Sequence, residues 1–174
     1  DKRGLIEAAS NGTLLLDEIA EMPTHLQTKL LRVLQERRLR RLGDEREIDV
    51  NFRLVSATNR NTLALLEEGQ LRKDLYFRIS TIKLTVPPLR ERLDDVPLIA
   101  GRFLKRFNEQ YGKNIRDVSP ETVMRLVRYD WPGNIRQLES VIERAVLFCS
   151  GSELLPICLP EEFQTRASSS TSVS

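Results

Sequence analysis

Two adjacent carboxylates, Asp17 and Glu18, close a short apolar run in Gly12-Thr13-Leu14-Leu15-Leu16-Asp17-Glu18. Such a run reads as a buried parallel strand delivering acids to its carboxyl edge, where open α/β sheets place their ligands. Carboxylates at that edge can help hold Mg²⁺ beside a nucleotide. A second polar strand end, Thr58-Asn59, follows Val55-Ser56-Ala57. Three arginines complete the residues with chemistry to offer: Arg72, Arg78, and Arg136 in Trp131-Pro132-Gly133-Asn134-Ile135-Arg136. Taken singly, each has a plainer reading: a solvated strand end, a strand-to-loop cap, loop arginines in water, a surface helix arginine. A phosphate site also needs a glycine-rich cradle, G-x-x-x-x-G-K-[ST]. No segment of the 174 residues matches it, so half of a nucleotide-hydrolysing site is expected here and the other half upstream.

The elements that must position these residues alternate between strand and helix. Leu14 to Leu16 form the first strand. Thr24 with Gln27 reads as a capping box, and the helix it opens carries Leu26, Leu30, Leu31 and Leu34 on one face. Between Lys29 and Glu47 seven basic residues stand against four acidic ones, which makes this stretch locally cationic. Gly43-Asp44 between two strand-like arms suggests a hairpin. Its second arm alternates, with Ile48, Val50, Phe52 and Leu54 one way and Asp49, Asn51 and Arg53 the other, and runs on to Ala57. A short helix from Leu63 to Glu68 ends near Gly69. A loop bearing Arg72 and Arg78 leads to a β-rich run, Ile79 to Val86, which Pro87-Pro88 stops.

Everything after Asp94 reads as helix: one from Val96 to Tyr111, one opened by Ser119-Pro120-Glu121, and one from an Asn134 cap to Phe148. The tail from Ser168 to Ser174 has the composition of a linker to a further domain.

Composition excludes some classes. The chain suits one domain, or one and a fragment. Hydrophobic residues at 40% and charged residues at 30% describe an ordinary globular protein, and no apolar run approaches the roughly 18 residues of a membrane span. No signal peptide is visible. A net charge of +2 is too small to argue for nucleic acid. Cys149 and Cys158 are too few for a disulfide scaffold and read as free thiols in a reducing cytoplasm. The single histidine, His25, reads as a surface residue.

In series, Gly12-Thr13-Leu14-Leu15-Leu16-Asp17-Glu18-Ile19, Leu71-Arg72-Lys73-Asp74-Leu75, Pro87-Pro88-Leu89-Arg90-Glu91-Arg92 and Trp131-Pro132-Gly133-Asn134-Ile135-Arg136-Gln137-Leu138 closely resemble the AAA+ ATPase domain of bacterial sigma-54-dependent transcription activators. The match runs from about Gly4 to Phe163. The resemblance implies an α/β fold: a P-loop NTPase-type parallel sheet, incomplete and holding strands three to five (Leu14–Leu16, Phe52–Ala57 and Ile79–Val86), followed by an all-α lid. Residues 1–93 would be the carboxyl portion of the α/β subdomain, 94–163 the lid and 164–174 a Ser-rich linker.

It also implies roles. The reaction is phosphoryl transfer from ATP to water, mostly positioning and charge stabilisation. Asp17, in the Walker B position, orients Mg²⁺ through water, and Glu18 polarises the attacking water. Thr58 and Asn59 match the first sensor, Arg72 and Arg78 the arginine fingers that enter the neighbouring subunit's site, and Arg136 the second sensor. Implied partners are the sigma-54 RNA polymerase holoenzyme, further copies in a hexameric or heptameric ring, and promoter or enhancer DNA through a separate domain. A receiver domain is one candidate controller.

The departures are at the amino end. The phosphate loop and the family's GAFTGA contact loop are absent, and Asp1 to Ala9 resembles the segment just after that contact loop. The basic helix and hairpin match the element that relays nucleotide state to it. With a family strand order of 5-1-4-3-2, the first and second strands are lacking. Either another strand fills the gap or strand five leaves its family position. The 174 residues by themselves are not expected to hydrolyse ATP. Two other classes compete: a non-catalytic oligomerisation module, and a helix-turn-helix from Ser119 to Ser150. The latter has four basic and four acidic residues, where a DNA reader normally shows a basic excess.

Overall fold

A computed structural model describes residues 4–41, 43 and 45–164. Asp44 of the expected turn and the Ser-rich tail lie outside them. The chain divides into two compact units, Asp1–Leu84 and Thr85–Ser174.

In the first unit, α1 (Leu5–Ala8) leads to β1 (Thr13–Leu16), a 3-10 turn at Ile19–Glu21, and α2 (Thr24–Glu36). A hairpin of β2 (Arg38–Arg40) and β3 (Glu47–Asp49) comes next, then β4 (Arg53–Ser56), α3 (Thr62–Glu67) and α4 (Lys73–Ile79). β1 and β4 pair in parallel, with Leu14 opposite Leu54 and Leu16 opposite Ser56. β2 and β3 pair antiparallel. Leu14, Leu30, Leu31, Leu34, Phe52 and Leu75 belong to one buried cluster, so α2 and α4 share a core with the parallel pair. Asn61 caps α3, its side chain accepting from the Leu63 and Ala64 N–H groups, and Gly69 beyond the helix takes φ +70°.

Several expectations need correction. The second arm of the hairpin is not one strand but two, in two different sheets. The switch lies at residues 50–53: Val50 N–H bonds to Arg37 C=O at 2.8 Å, while Arg53 N–H bonds to Gly12 C=O at 2.9 Å. Val50 and Phe52 stay buried through the switch, so the alternation survives while the partner changes.

The run from Ile79 to Val86 is not a strand. Ile79 ends α4, residues 80–88 have no regular structure, and Ile82, Leu84 and Val86 are 80%, 86% and 77% exposed. A strand needs a ladder to join, and among the described residues no strand pairs with this segment. The segment thus forms no strand, and neither anticipated outcome, a filled gap or a fifth strand in another position, is seen among the described residues.

The apolar run of β1 is buried on one face only: Leu14 is 8% exposed but Leu15 is 62% exposed, and Val55 across the ladder 41%.

Thr24 and Gln27 form no capping box. Thr24 is the first helical residue, and no side chain caps α2. Leu26 is 40% exposed, and the buried face of α2 is Gln27, Leu30, Leu31 and Leu34.

The second unit contains α5 (Asp95–Tyr111), β5 (Asp117–Val118), α6 (Pro120–Val127), α7 (Asn134–Phe148), β6 (Glu153–Leu154) and α8 (Glu161–Gln164). It is helical as expected, apart from a two-residue parallel pairing of β5 with β6. Ser119 caps α6, its Oγ accepting from Thr122 N–H at 3.2 Å. Asn134 does not cap α7 but is its first residue, and its Oδ1 instead accepts from Leu89 N–H at 2.8 Å. That bond ties the Trp-Pro-Gly-Asn turn to the Pro-Pro-Leu-Arg-Glu-Arg turn. Trp131, fully buried, donates Nε1–H to Leu126 C=O at 2.8 Å and packs on Tyr129 and Phe163. Cys149 and Cys158 are free thiols, and His25 is exposed. No helix among the described residues is long and apolar enough to cross a membrane.

Candidate functional site

The parallel pairing of β1 with β4 brings two polar strand ends to one edge. Beyond Leu16 and Ser56 the ladder continues, with Ala57 N–H bonded to Leu16 C=O at 2.9 Å and Ile19 N–H bonded to Ala57 C=O at 3.0 Å. These bonds bracket Asp17 and Glu18 and set Thr58 and Asn59 on the neighbouring strand's exit. Asp17, Glu18 and Asn59 are exposed, and Thr58 is half-buried. Glu18 takes φ +51°, ψ +42°, a left-handed conformation unusual for a residue with a Cβ. Its N–H bonds to Asp17 Oδ1 at 3.0 Å. Strain of this kind collects where a side chain must be aimed.

The donor set at this edge suits one cation type. Among the described residues, no group of three or more His, Cys, Asp or Glu side chains is placed to hold a metal ion. One or two carboxylates with retained waters and phosphate oxygens are the ordinary ligand set of Mg²⁺, and Asp17 fits it.

Both finger candidates lie in the same unit, and both are engaged. Arg72 precedes α4 and forks onto Asp74, with Nε and Nη2 at 3.0 and 2.6 Å from its two carboxylate oxygens. The hydrogen bond from Arg72 holds the Asp74 carboxyl below its usual range, and Asp74 raises Arg72 in turn. Arg78 is not on a loop as anticipated. It sits in the last turn of α4 and donates Nη2–H to Leu34 C=O at 3.0 Å, at the carboxyl end of α2.

Two residues bind these parts together that the motifs do not single out. Gln27 is fully buried. Its Nε2 donates to Met22 C=O at 2.8 Å and to Gln70 C=O at 2.7 Å, and its Oε1 accepts Arg72 N–H at 2.9 Å. Arg60, just past Asn59, donates Nη2–H to Gln70 Oε1 at 2.8 Å and pairs with Glu21 at 3.4 Å. Arg60 N–H in turn bonds to Thr58 Oγ1 at 3.1 Å. Gln27 had a visible signal: it occupies the first position of an i, i+3, i+4, i+7 apolar face, where a polar residue must find partners. Arg60 had none.

Arg136 lies in the second unit, exposed, two residues into α7. Its side chain forms no ion pair among the described residues.

Comparison with known proteins gives these residues a setting. Residues 1–85 match the Sigma-54 interaction domain, and residues 90–174 match the AAA+ ATPase lid domain. The chain is 46% identical to the regulatory protein AtoC of Escherichia coli over 163 residues, which are 94% of this chain and 35% of AtoC. It is 41% identical to the nitrogen fixation protein AnfA of Azotobacter vinelandii over 169 residues, 97% of this chain and 32% of AnfA. Among solved structures, NtrX from Brucella abortus in complex with ATP superposes with a TM-score of 0.85 at 36% identity, covering 92% of this chain and 38% of that one. NtrX in complex with ADP gives 0.84 at 35% identity, covering 91% and 37%. The chain thus spans about a third of the length of these relatives. The match over 90–174 is to a lid, which sets aside the helix-turn-helix alternative for Ser119–Ser150.

Proposed function

We propose that this chain, which belongs to the AAA+ ATPase domain family of sigma-54-dependent transcription activators, supplies the water-activating edge, the arginine fingers and the lid of an ATP-hydrolysing ring. The ring, of six or seven copies, remodels sigma-54 RNA polymerase in the cytoplasm to open promoter DNA, and a separate domain holds enhancer DNA. The observation that carries this reading is the shared edge of Asp17-Glu18 and Thr58-Asn59, with Glu18 held left-handed. Residues 1–93 act as the carboxyl portion of the α/β subdomain, 94–163 as the lid and 164–174 as a linker.

Each residue has a part in transferring a phosphoryl group to water. Asp17 is the residue that would hold Mg²⁺, through water, and the ion would supply neutralisation of the charge that builds on the phosphates. Glu18 orients the attacking water and draws on its proton. Thr58 and Asn59 sense the γ-phosphate beside it. Arg72 and Arg78 reach the neighbouring copy's nucleotide, where transition-state charge develops, and Arg136 contacts a phosphate from the lid. The ATP and ADP complexes of NtrX support the choice of nucleotide. No segment of the 174 residues matches a phosphate cradle, so turnover requires that element from the intact activator.

The direct test is Glu18→Gln in the intact activator. Loss of the base should lower turnover by roughly 10²- to 10⁴-fold while ATP binding persists. Hydrolysis at an unchanged rate overturns the assignment.

A further inference from the structure

A glutamine amide sealed inside an apolar helix face is costly unless every polar atom is matched. Gln27 matches both of its amide atoms, and every partner is backbone: Met22 C=O, Gln70 C=O and Arg72 N–H. The first partner lies four residues beyond Glu18, at the end of the 3-10 turn Ile19–Glu21. The other two lie in the segment that leads into α4 and carries Arg72. One buried side chain therefore spans the segment leaving the Asp17-Glu18 edge and the segment carrying a finger. A second bridge runs alongside, since Arg60 binds Glu21 and the Gln70 side chain while its own N–H rests on Thr58. Gln70 is common to both.

We propose that Gln27 is the positioning residue of the Arg72 finger, setting that arginine's backbone by the state of its own subunit's Asp17-Glu18 edge. The inference rests on the reading of Arg72 as a finger that serves a neighbouring copy. Under it, the finger offered to the next site is held in register by the site behind it. A glutamine suits this task because it donates and accepts at once. A shift of Met22 pulls on Nε2 and is felt at the Arg72 N–H through Oε1. An apolar residue of the same size would fill the space and transmit nothing.

The test uses the intact activator and mixed rings. Gln27→Met keeps the volume and removes all three bonds. Gln27→Glu keeps an acceptor for Arg72 N–H but sets an oxygen against two carbonyls. Either homogeneous ring should lose roughly 10- to 100-fold in kcat, as expected for a misplaced catalytic group, with KM for ATP within about two-fold.

Rings mixing the Gln27 variant with Glu18→Gln subunits should exceed both parents in turnover. The Gln27 variant then contributes an intact Glu18, and its neighbour contributes a well-placed finger. An Arg72→Ala and Glu18→Gln mixture run beside it tests the underlying reading. If that control gains activity and the Gln27 mixture does not, Gln27 works only within its own site and this inference fails alone. If the control shows no gain, the finger reading fails and takes the inference with it. Failure of both Gln27 variants to form rings also overturns it, because the residue would then hold the fold rather than the finger.

Discussion

Arg78 has a structural contact that its proposed role does not require, and the two can be separated. The last turn of α2 leaves carbonyls without helical partners. The Arg37 N–H reaches Val33 C=O, so Leu34 C=O lies beyond the helix's own bonds, and Arg78 Nη2 meets it at 3.0 Å. A hydrogen bond from a charged donor is worth about 1.5–3 kcal/mol when shielded. Cations at exposed helix carboxyl ends contribute about 0.3–1 kcal/mol. Arg78 is exposed, so about 1 kcal/mol is the fitting figure, and in a domain of this size that corresponds to about 4–8 °C in Tm.

Calorimetry of the 174-residue chain should show the first unit's transition falling by that amount in Arg78→Ala and recovering much of it in Arg78→Lys, which keeps a donor. Arg72→Ala should leave the same transition in place, because among the described residues that guanidinium bonds only to the exposed Asp74. Trp131, the single tryptophan, lies in the other unit, and its fluorescence transition should not move in any of the three. An unchanged first transition in Arg78→Ala, or an equal fall in Arg72→Ala, would refute the assignment of Arg78 to the end of α2.

Three further outcomes are expected from the site and the packing. The 174-residue chain should give no micromolar heat signal with Mg-ATP in titration calorimetry, since Asp17, Glu18 and Arg136 leave most of the triphosphate charge uncompensated. Trp131→Ala should destabilise the second unit by about 3–5 kcal/mol in urea denaturation monitored by circular dichroism, and an unshifted midpoint would contradict its place in that core. The Asp74 carboxyl is held below its usual range, so the Arg72–Asp74 contact is complete above the ordinary carboxylate pKa and opens only as pH falls through the lower, folded value. A carbon-detected NMR titration should show that depression, and Arg72→Ala should reduce it without removing it, since the Leu75 N–H bond to Asp74 Oδ1 remains.

The parts of this molecule written in local pattern were legible in its residues. The parallel strand ending in Asp17-Glu18, the hairpin around Gly43, the Ser119 cap and the long helices all carry their signals in spacing and cap chemistry. What misled were features decided by a distant partner. The alternation from Ile48 to Leu54 is correct, yet it says nothing about which strand each half pairs with. The run from Ile79 to Val86 has strand composition, but a strand forms only beside a ladder. Thr24 and Gln27 have capping-box spacing, but the stripe of Leu30, Leu31 and Leu34 had already claimed Gln27 for the interior. Asn134 reads as a cap until Leu89 N–H, 45 residues earlier, is seen to take its side chain. Arg72 and Arg78 could be picked out, but not the Asp74 fork or the end of α2 that now occupy them.

The exchange of partners at residues 50–53 joins the hairpin directly to the parallel sheet. Glu47–Asp49 belongs to one ladder and Arg53–Ser56 to the other, with only Val50, Asn51 and Phe52 between them. Three residues reach at most about 10 Å when stretched, and two of these are anchored in the core. The connection is therefore short and pinned at two buried positions, and slippage of β4 cannot lengthen it, because a one-residue slip would turn every side chain to the wrong face.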